Sequence, residues 1–154
     1  MGKEIERKFL VRSNAYRTLA TESHSIRQGY LSVNPDATVR VRILDDRAYL
    51  TVKSRNKGAE RGEWEYEIPL ADGRELLALC TGSAILEKVR YIVPARPDGL
   101  RWEVDEFGGA KAGLVVAEIE LPDAATPFEI PDFIGREVTG QPEYYNSSLA
   151  SSAG

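Results

Sequence analysis

The amino-acid sequence predicts a mainly β protein of the α+β class, an eight-stranded antiparallel sheet that closes into a barrel with a few short helices outside. Three observations support this prediction. About eight segments alternate polar and apolar residues, most connections between them have hairpin length, and charged residues gather on one face of nearly every segment. Alternation with a period of two is typical of a strand whose two faces meet different surroundings. Short connections between such strands favour antiparallel pairing.

Strand segments occur along most of the chain. They are predicted at residues 4–11, 26–33, 38–44, 47–54, 63–69, 85–93, 100–107 and 114–121. Asp45-Asp46 and Asp98-Gly99 supply two hairpin turns. The polar or glycine-bearing stretches 55–62 and 108–113 are predicted to be loops, the first of them mobile, and so is the proline-interrupted stretch 122–131.

Short helical segments are predicted between and after the strands. They are residues 15–20, a helix between Asp72 and Gly82, a turn near residues 132–134 and a last helix at residues 143–150. Asp72 is expected to cap its helix, with Glu75 three residues later in a capping-box arrangement and Gly82 as the end. Because these helices are few and short, they are expected to cover the outside of the sheet.

Length and composition narrow the function classes. The chain has 154 residues, and a single domain spanning residues 1–154 is expected. Its net charge of −4 differs from the positive net charge that is typical of proteins that bind nucleic acids. One cysteine, Cys80, and one histidine, His24, argue against sites built on several Cys or His ligands. His24 is interpreted as solvated in a polar loop. An unpaired cysteine and the lack of an apolar run near 20 residues predict a cytoplasmic protein without a membrane partner.

Like charges repeat on single strand faces. Arg40 and Arg42 share one face, and Glu65 and Glu67 share another. Such pairs stand about 7 Å apart and destabilise a sheet unless opposite charges face them. A half-exposed sheet with a solvated polar face explains any one strand. A closed barrel with its charged faces inward explains the whole set, because acidic and basic strands then face each other across a lumen.

The inward charges form two chemical groups. The cations are Lys8, Arg40, Arg42, Lys53, Lys88 and Arg90, and the carboxylates are Glu4, Glu6, Glu65, Glu67, Glu103, Asp105, Glu118 and Glu120. Arginine and lysine suit a polyanion such as a phosphate chain, whereas clustered carboxylates suit a hard divalent cation such as Mg²⁺ or Mn²⁺. Phosphoryl transfer uses both groups, because cations bind the phosphate and carboxylates hold the metal.

Arg101 is not assigned to these groups and is interpreted as a surface residue.

The opening strand, Glu4-Ile5-Glu6-Arg7-Lys8, resembles the ExExK signature of the CYTH family, the triphosphate tunnel metalloenzymes. The later charged pairs follow in the family's order over nearly the whole chain. Gln28-Gly29-Tyr30 and the closing segment from Tyr144 to Ala150 are also similar to the family. The resemblance implies an eight-stranded tunnel that binds a small-molecule triphosphate and a divalent metal.

The resemblance also implies roles for individual residues. Metal would be held by Glu4, Glu6 and Glu120, with Glu118 as a further candidate. The phosphate path would be lined by Lys8, Arg40, Arg42, Lys53, Lys88 and Arg90. A second metal, a positioned water or structural ion pairs would involve Glu65, Glu67, Glu103 and Asp105. Tyr30 and Lys88 would lie near the reacting phosphoryl group and, with Glu4 and Glu6, form the catalytic set.

The opening stretch is similar to that of short bacterial inorganic triphosphatases, which implies metal-dependent hydrolysis of tripolyphosphate to pyrophosphate and phosphate. Class IV adenylate cyclases typically carry His-Phe ahead of ExExK, whereas this chain has Met1, Gly2 and Lys3 there. Three alternatives stay open. The first is another activity of the same fold, namely hydrolysis of thiamine or nucleoside triphosphates or cyclisation of ATP. The others are a non-catalytic polyphosphate-binding module and a structural barrel. Apolar residues that are expected to point outward, such as Trp64 and Tyr66, would allow two copies of the chain to pair as a homodimer.

Overall fold

A computed structural model describes residues 2–80 and 85–152 of the chain. The strands within these ranges are β1 (Gly2–Val11), β2 (Glu22–Ser32), β3 (Ala37–Leu44), β4 (Arg47–Ser54), β5 (Glu60–Ile68), β6 (Leu86–Pro94), β7 (Arg101–Phe107), β8 (Val115–Glu120) and β9 (Ile134–Glu137). The helices are α1 (Tyr16–Leu19), α2 (Leu70–Ala78) and α3 (Asn146–Ser152), with 3-10 turns at Gly109–Lys111 and Pro142–Tyr144. Within these ranges, every helix is too short or too polar to cross a membrane.

Eight of the strands form a closed antiparallel barrel, which confirms the predicted fold class. The order around the ring is β5-β4-β3-β2-β6-β7-β8-β1, and β1 pairs with β5 to close it. One edge of β1 is divided between two partners, because Gly2 through Ile5 pair with β5 whereas Phe9 and Val11 pair with β9. The other edge pairs with β8. Strand β9 therefore extends the sheet beside the ring.

The apolar faces of the strands point outward, and helices and loops cover much of this surface, although Tyr66 of β5 is 60% exposed. Trp102 of β7 is 1% exposed and packs edge to face against Phe9 and Phe128, with ring centroids 5.5 and 5.8 Å away. On another side, Leu77 of α2 packs beside Val41 of β3. Each large apolar side chain buried in this way contributes about 1.5–3 kcal/mol. The covered outer faces leave the charged faces to line the inside of the barrel.

Three stretches of the chain depart most from the secondary structure that the sequence predicts. The predicted helical turn at 132–134 leads into β9, because the free edge of β1 near Phe9 offers backbone groups that a further strand satisfies. The predicted loop 55–62 is shorter, since β5 begins at Glu60 opposite Ile5. Strand β2 begins at Glu22, so the placement of His24 in a loop was wrong, although its side chain is still 27% exposed.

Helix α2 begins before its predicted start. Pro69 is its N-cap residue and Asp72 lies within the first turn, so the predicted capping box was wrong. The fixed φ of a proline suits the start of a helix, and the carboxylate of Asp72 still lies near the positive end of the helix dipole. The predicted end at Gly82 lies outside the described residues.

Gly73 lets α2 approach the sheet. A Cβ at this position would press on the Cβ of Ala48, which is fully buried in β4.

A glycine-to-alanine change inside a helix normally stabilises the folded protein by about 1 kcal/mol. Here overpacking should reverse the sign, and Gly73→Ala should lower the free energy of unfolding by about 1–3 kcal/mol in urea denaturation. The double variant with Ala48→Gly should recover part of that loss, and a single variant as stable as the parent would contradict this packing.

His24 links β2 to the turn between β3 and β4. Its Nδ1 lies 2.7 Å from Asp45 and its Nε2 lies 2.8 Å from Glu22. Bonds to Asp45 and Glu22 raise the pKa of His24 above its ordinary value of 6.5. Protonated His24 therefore stabilises the fold fully below about pH 6.5, and this contribution is lost as the pH rises through the higher folded-state pKa.

The free energy of unfolding, measured by urea denaturation between about pH 5 and pH 9, should fall across this window. The variant His24→Asn should lose that part of the pH dependence. An equally steep fall in both proteins would show that another group is responsible.

Candidate active-site tunnel

The charged strand faces converge on a cavity of about 230 Å³ inside the barrel, here called the tunnel. The predicted site residues that line it are Glu4, Glu6, Lys8, Tyr30, Arg40, Arg42, Lys53, Glu65, Lys88, Arg90, Glu103, Glu118 and Glu120. Strand alternation explains this grouping, since side chains two residues apart on one strand face the same side. The structure thus brings together nearly the whole predicted set.

Opposite charges from different strands pair within the tunnel, most of them across one intervening strand. The pairs with their N–O distances are Lys53–Glu4 (3.0 Å), Lys8–Glu118 (3.3 Å), Arg42–Glu65 (3.1 Å) and Arg40–Glu65 (3.6 Å). Two arginines share Glu65, so one carboxylate balances two cations there. This arrangement leaves donor N–H groups of both arginines available to an anion that enters the tunnel.

Asp105 forms the most deeply buried charge cluster. Its carboxylate accepts bonds from Arg90 at 2.8 and 2.9 Å and lies 2.8 Å from Lys88 Nζ. Burial raises the pKa of Asp105, but the attraction of Arg90 and Lys88 outweighs it and lowers that pKa to about 2. Burial, with Arg90 nearby, lowers the pKa of Lys88 to about 8 despite Asp105. Asp105 therefore holds Lys88 and Arg90, which line the tunnel, from behind its wall.

Carboxylates are in excess where β1 meets β8. Glu6 lies directly opposite Glu120, and Glu118 lies opposite Lys8 on the same strand pair. Burial raises the pKa of Glu6 well above its ordinary value, and the nearby carboxylates of Glu118 and Glu4 raise it further. Burial, then Glu4, raises the pKa of Glu120 as well. Burial is the larger cause of both shifts, and the carboxylate contributions agree with the strand pairing, which places Glu6 beside Glu120.

The excess carboxylates fit a hard divalent cation, whose preferred ligands are charged oxygens. Residues 2–80 and 85–152 contain no group of three or more acidic, His or Cys side chains already arranged around one metal position. Lysines hold the oxygens instead, Lys53 those of Glu4 and Lys8 one of Glu118. Metal binding here would therefore exchange lysine contacts for metal–oxygen contacts.

Two predicted residues lie away from the tunnel surface. Glu67 has a side chain that is 54% exposed and faces Arg47 at 3.8 Å, so its placement in the site was wrong. It shares a strand face with Glu65, but β5 extends beyond the tunnel at this point. Asp105 lies behind the wall, where it supports Lys88 and Arg90.

Several wall residues were not among the predicted site residues. Those with functional groups include Asn56, Arg61, Glu63, Arg101, Thr139, Tyr145 and Asn146. Arg61 and Glu63 continue the alternating face of Glu65, a signal that the predicted loop 55–62 concealed for Arg61. Arg101 is 61% exposed, as its interpretation as a surface residue expected, and it also borders the tunnel 3.8 Å from Glu103.

The segment before and within α3 contacts two tunnel lysines. Lys8 Nζ donates to the carbonyl oxygen of Tyr144 at 3.0 Å and lies 5.8 Å from the ring centroid of Tyr145. Lys88 Nζ donates to Oδ1 of Asn146 at 3.1 Å. The C-terminal segment therefore forms part of the tunnel wall.

Comparisons with known proteins agree on one family. A family model described as the CYTH domain matches residues 2–151. An Acetivibrio thermocellus protein named inorganic triphosphatase is 50% identical over 149 residues, which cover 97% of this chain and 94% of the relative. A Nitrosomonas europaea protein of the same name is 37% identical over 152 residues, 97% of each chain. The solved structure of the inorganic triphosphatase NE1496 has a TM-score of 0.67 at 34% identity and covers 97% of this chain and 98% of that one.

Glu6, in the tunnel, and Asp105, behind its wall, should respond oppositely to neutralisation. Without metal, Glu6→Gln should raise the free energy of unfolding by about 1 kcal/mol, because it removes one charge from the excess near Glu118. Asp105→Asn should lower it by about 3–5 kcal/mol, because Arg90 and Lys88 lose their buried partner. Urea denaturation in a chelator at neutral pH measures both. A loss of stability in both variants would contradict the carboxylate excess.

Proposed function

The chain belongs to the CYTH domain family, and from this premise we propose that it hydrolyses inorganic tripolyphosphate to pyrophosphate and phosphate in the tunnel. The observation that carries the proposal is a lumen holding cations for a polyanion beside carboxylates that those cations do not balance. The relatives named inorganic triphosphatase support the same reaction. The proposed setting is the cytoplasm.

Binding of the substrate rests on the tunnel cations. Arg40 and Arg42 carry planar guanidinium groups that can grip phosphoryl oxygens with two donors each. Lys8 of β1 and Lys53 of β4 add point charges. Because the phosphate chain carries several negative charges, it can replace part of the contacts that these cations now make with Glu65, Glu118 and Glu4. Substrate charge thus substitutes for internal ion pairs.

Hydrolysis would proceed by direct attack of water. The water oxygen adds to a terminal phosphorus, the bridging P–O bond breaks, and pyrophosphate leaves with the bridging oxygen while the water protons pass to products and solvent. Lys88 Nζ and the Tyr30 hydroxyl, both in the tunnel wall, would donate to the phosphoryl oxygens as charge moves onto them. This reaction needs no covalent intermediate on the protein.

Divalent metal, Mg²⁺ or Mn²⁺, is the proposed cofactor. Glu4, Glu6, Glu118 and Glu120 would hold it. When bound, such an ion neutralises phosphoryl oxygens and lowers the pKa of a water. For the second acidic group, the pairing of Glu65 with arginines and of Asp105 and Glu103 with Arg90 supports structural ion pairing.

A second candidate is hydrolysis of an organic triphosphate. A recess of about 450 Å³ adjoins the tunnel and has apolar walls that include Val33, Pro35, Pro142 and the Tyr145 ring. Such walls suit a base or heterocycle better than further phosphates. This recess could not be predicted from the sequence, because its walls come from three separate connecting segments.

Phosphate release from tripolyphosphate, ATP and thiamine triphosphate tests these candidates, each with Mg²⁺, with Mn²⁺ and with a chelator. Rapid metal-dependent release from tripolyphosphate is expected, with little from the organic substrates. Preference for an organic substrate would favour the second candidate, and triphosphate binding without any release would indicate a binding module.

Variants separate metal from phosphate roles. Glu6→Gln should lower kcat by at least about 100-fold, because it removes a charge from the metal ligands. Arg42→Ala should mainly raise KM, by about tenfold or more, because it removes a charge-assisted contact to phosphate. Arg47→Ala is the matched control, since Arg47 is exposed and faces Glu67 outside the tunnel. Parent-like kinetics in Glu6→Gln and Arg42→Ala together would refute the site.

A further inference from the structure

Arg61 differs from the other cations of the tunnel wall. Each of the others has a carboxylate oxygen within 4 Å: Lys8, Arg40, Arg42, Lys53, Lys88, Arg90 and Arg101. Arg61 has no carboxylate partner among the side chains that the structure describes. It is therefore the wall cation whose charge the described part of the protein leaves unbalanced.

The contacts of Arg61 hold its guanidinium in place without neutralising it. One terminal nitrogen donates to Oδ1 of Asn56 at 2.9 Å and the other donates to Oγ1 of Thr38 at 3.2 Å. Its Nε is buried and has no hydrogen-bond partner among the described atoms. Glu4 lies directly opposite on β1, but its carboxylate is held by Lys53 at 3.0 Å. Neutral contacts thus orient a cation that keeps its full charge.

Arg61 lies at the junction of the tunnel and the recess. Five residues line both cavities, namely Thr38, Asn56, Arg61, Tyr145 and Ser147. The phosphate-binding cations lie on the tunnel side of this junction and the apolar walls lie on the other. A phosphoryl group at the junction is therefore the last one before the recess begins.

We propose that Arg61 binds the phosphoryl group at the recess end of the substrate and makes the tunnel prefer inorganic tripolyphosphate to organic triphosphates. Both substrates place a phosphoryl group there, but the group differs in charge. In tripolyphosphate it is terminal and carries up to two negative charges, whereas in an organic triphosphate it is esterified and carries one. The guanidinium of Arg61, held in one orientation and without a carboxylate partner among the described side chains, interacts more strongly with the doubly charged terminal group than with the singly charged ester.

This inference rests on the proposed triphosphatase function, but a binding measurement can test it separately. The variant is Arg61→Gln and the matched control is Arg55→Gln. Arg55 lies at the recess, but it is 62% exposed and paired with Asp36 at 2.6 Å. Both substitutions remove one positive charge from the same region, and only the first removes an unbalanced one.

Calorimetry should measure the dissociation constants of tripolyphosphate and ATP for the full chain in a chelator. Arg61→Gln should weaken tripolyphosphate binding by about 10- to 100-fold and ATP binding by at most about threefold. Arg55→Gln should change the affinity for tripolyphosphate by less than about twofold. Arg61→Lys, which keeps the charge without the fork, should recover part of the tripolyphosphate affinity. Far-UV circular dichroism confirms that the variants are folded.

Three results would each overturn the role of Arg61. These are an equal loss of affinity for tripolyphosphate and ATP in Arg61→Gln, no loss of affinity in that variant, and the same loss of tripolyphosphate affinity in Arg55→Gln. Phosphate release from both substrates with metal is measured in parallel. If the parent protein releases no phosphate, the proposed function fails, and the calorimetric ratio still decides whether Arg61 selects the terminal phosphate. If release occurs and kcat/KM for tripolyphosphate falls selectively in Arg61→Gln, the preference extends to turnover.

Discussion

Every charged side chain enclosed by the barrel needs an opposite charge nearby, because burial removes the water that would otherwise solvate it. Asp105 shows how the structure meets this need: from behind the tunnel wall, its two oxygens contact both Arg90 and Lys88. A single carboxylate there supports two cations whose positive charges would otherwise repel. The strands that carry these residues, β6 and β7, are adjacent in the ring, so the ion network and the strand pairing stabilise each other.

Strand β1 joins this electrostatic network to the closure of the barrel. Its backbone pairs with β5, β8 and β9, and its inward face carries Glu4, Glu6 and Lys8. Closure therefore brings the acidic end of β1 beside Lys53 and Glu63 on one side and beside Glu118 and Glu120 on the other. The same pairing that removes the open edges of the sheet concentrates carboxylates at one place in the lumen. Fold and candidate metal site have a common origin in this strand.

The imbalances that remain are the chemically informative features. Where the lysines do not match the carboxylates, near Glu6 and Glu120, the lumen is suited to a divalent cation. Where a cation has no described carboxylate partner, at Arg61, it is suited to an anion. A structural barrel held by ion pairs alone would gain stability by cancelling both imbalances. Their presence in one tunnel is consistent with a substrate and a metal that supply the missing charges.

The alternation along each strand determined which side chains face the lumen, and this could be predicted from sequence because it is a local property of the extended backbone. Glu4, Glu6 and Lys8 were predicted to line the lumen on that ground, as were Arg40 and Arg42, and the closed barrel followed from their like charges. How far each strand reaches along the lumen was decided only by the tertiary structure. Glu65 lines the tunnel whereas Glu67, on the same face, is exposed, and Arg61 enters the wall only because β5 begins early enough to pair with β1. Strand register and stagger depend on pairing between residues far apart in the chain, so no local pattern encodes them.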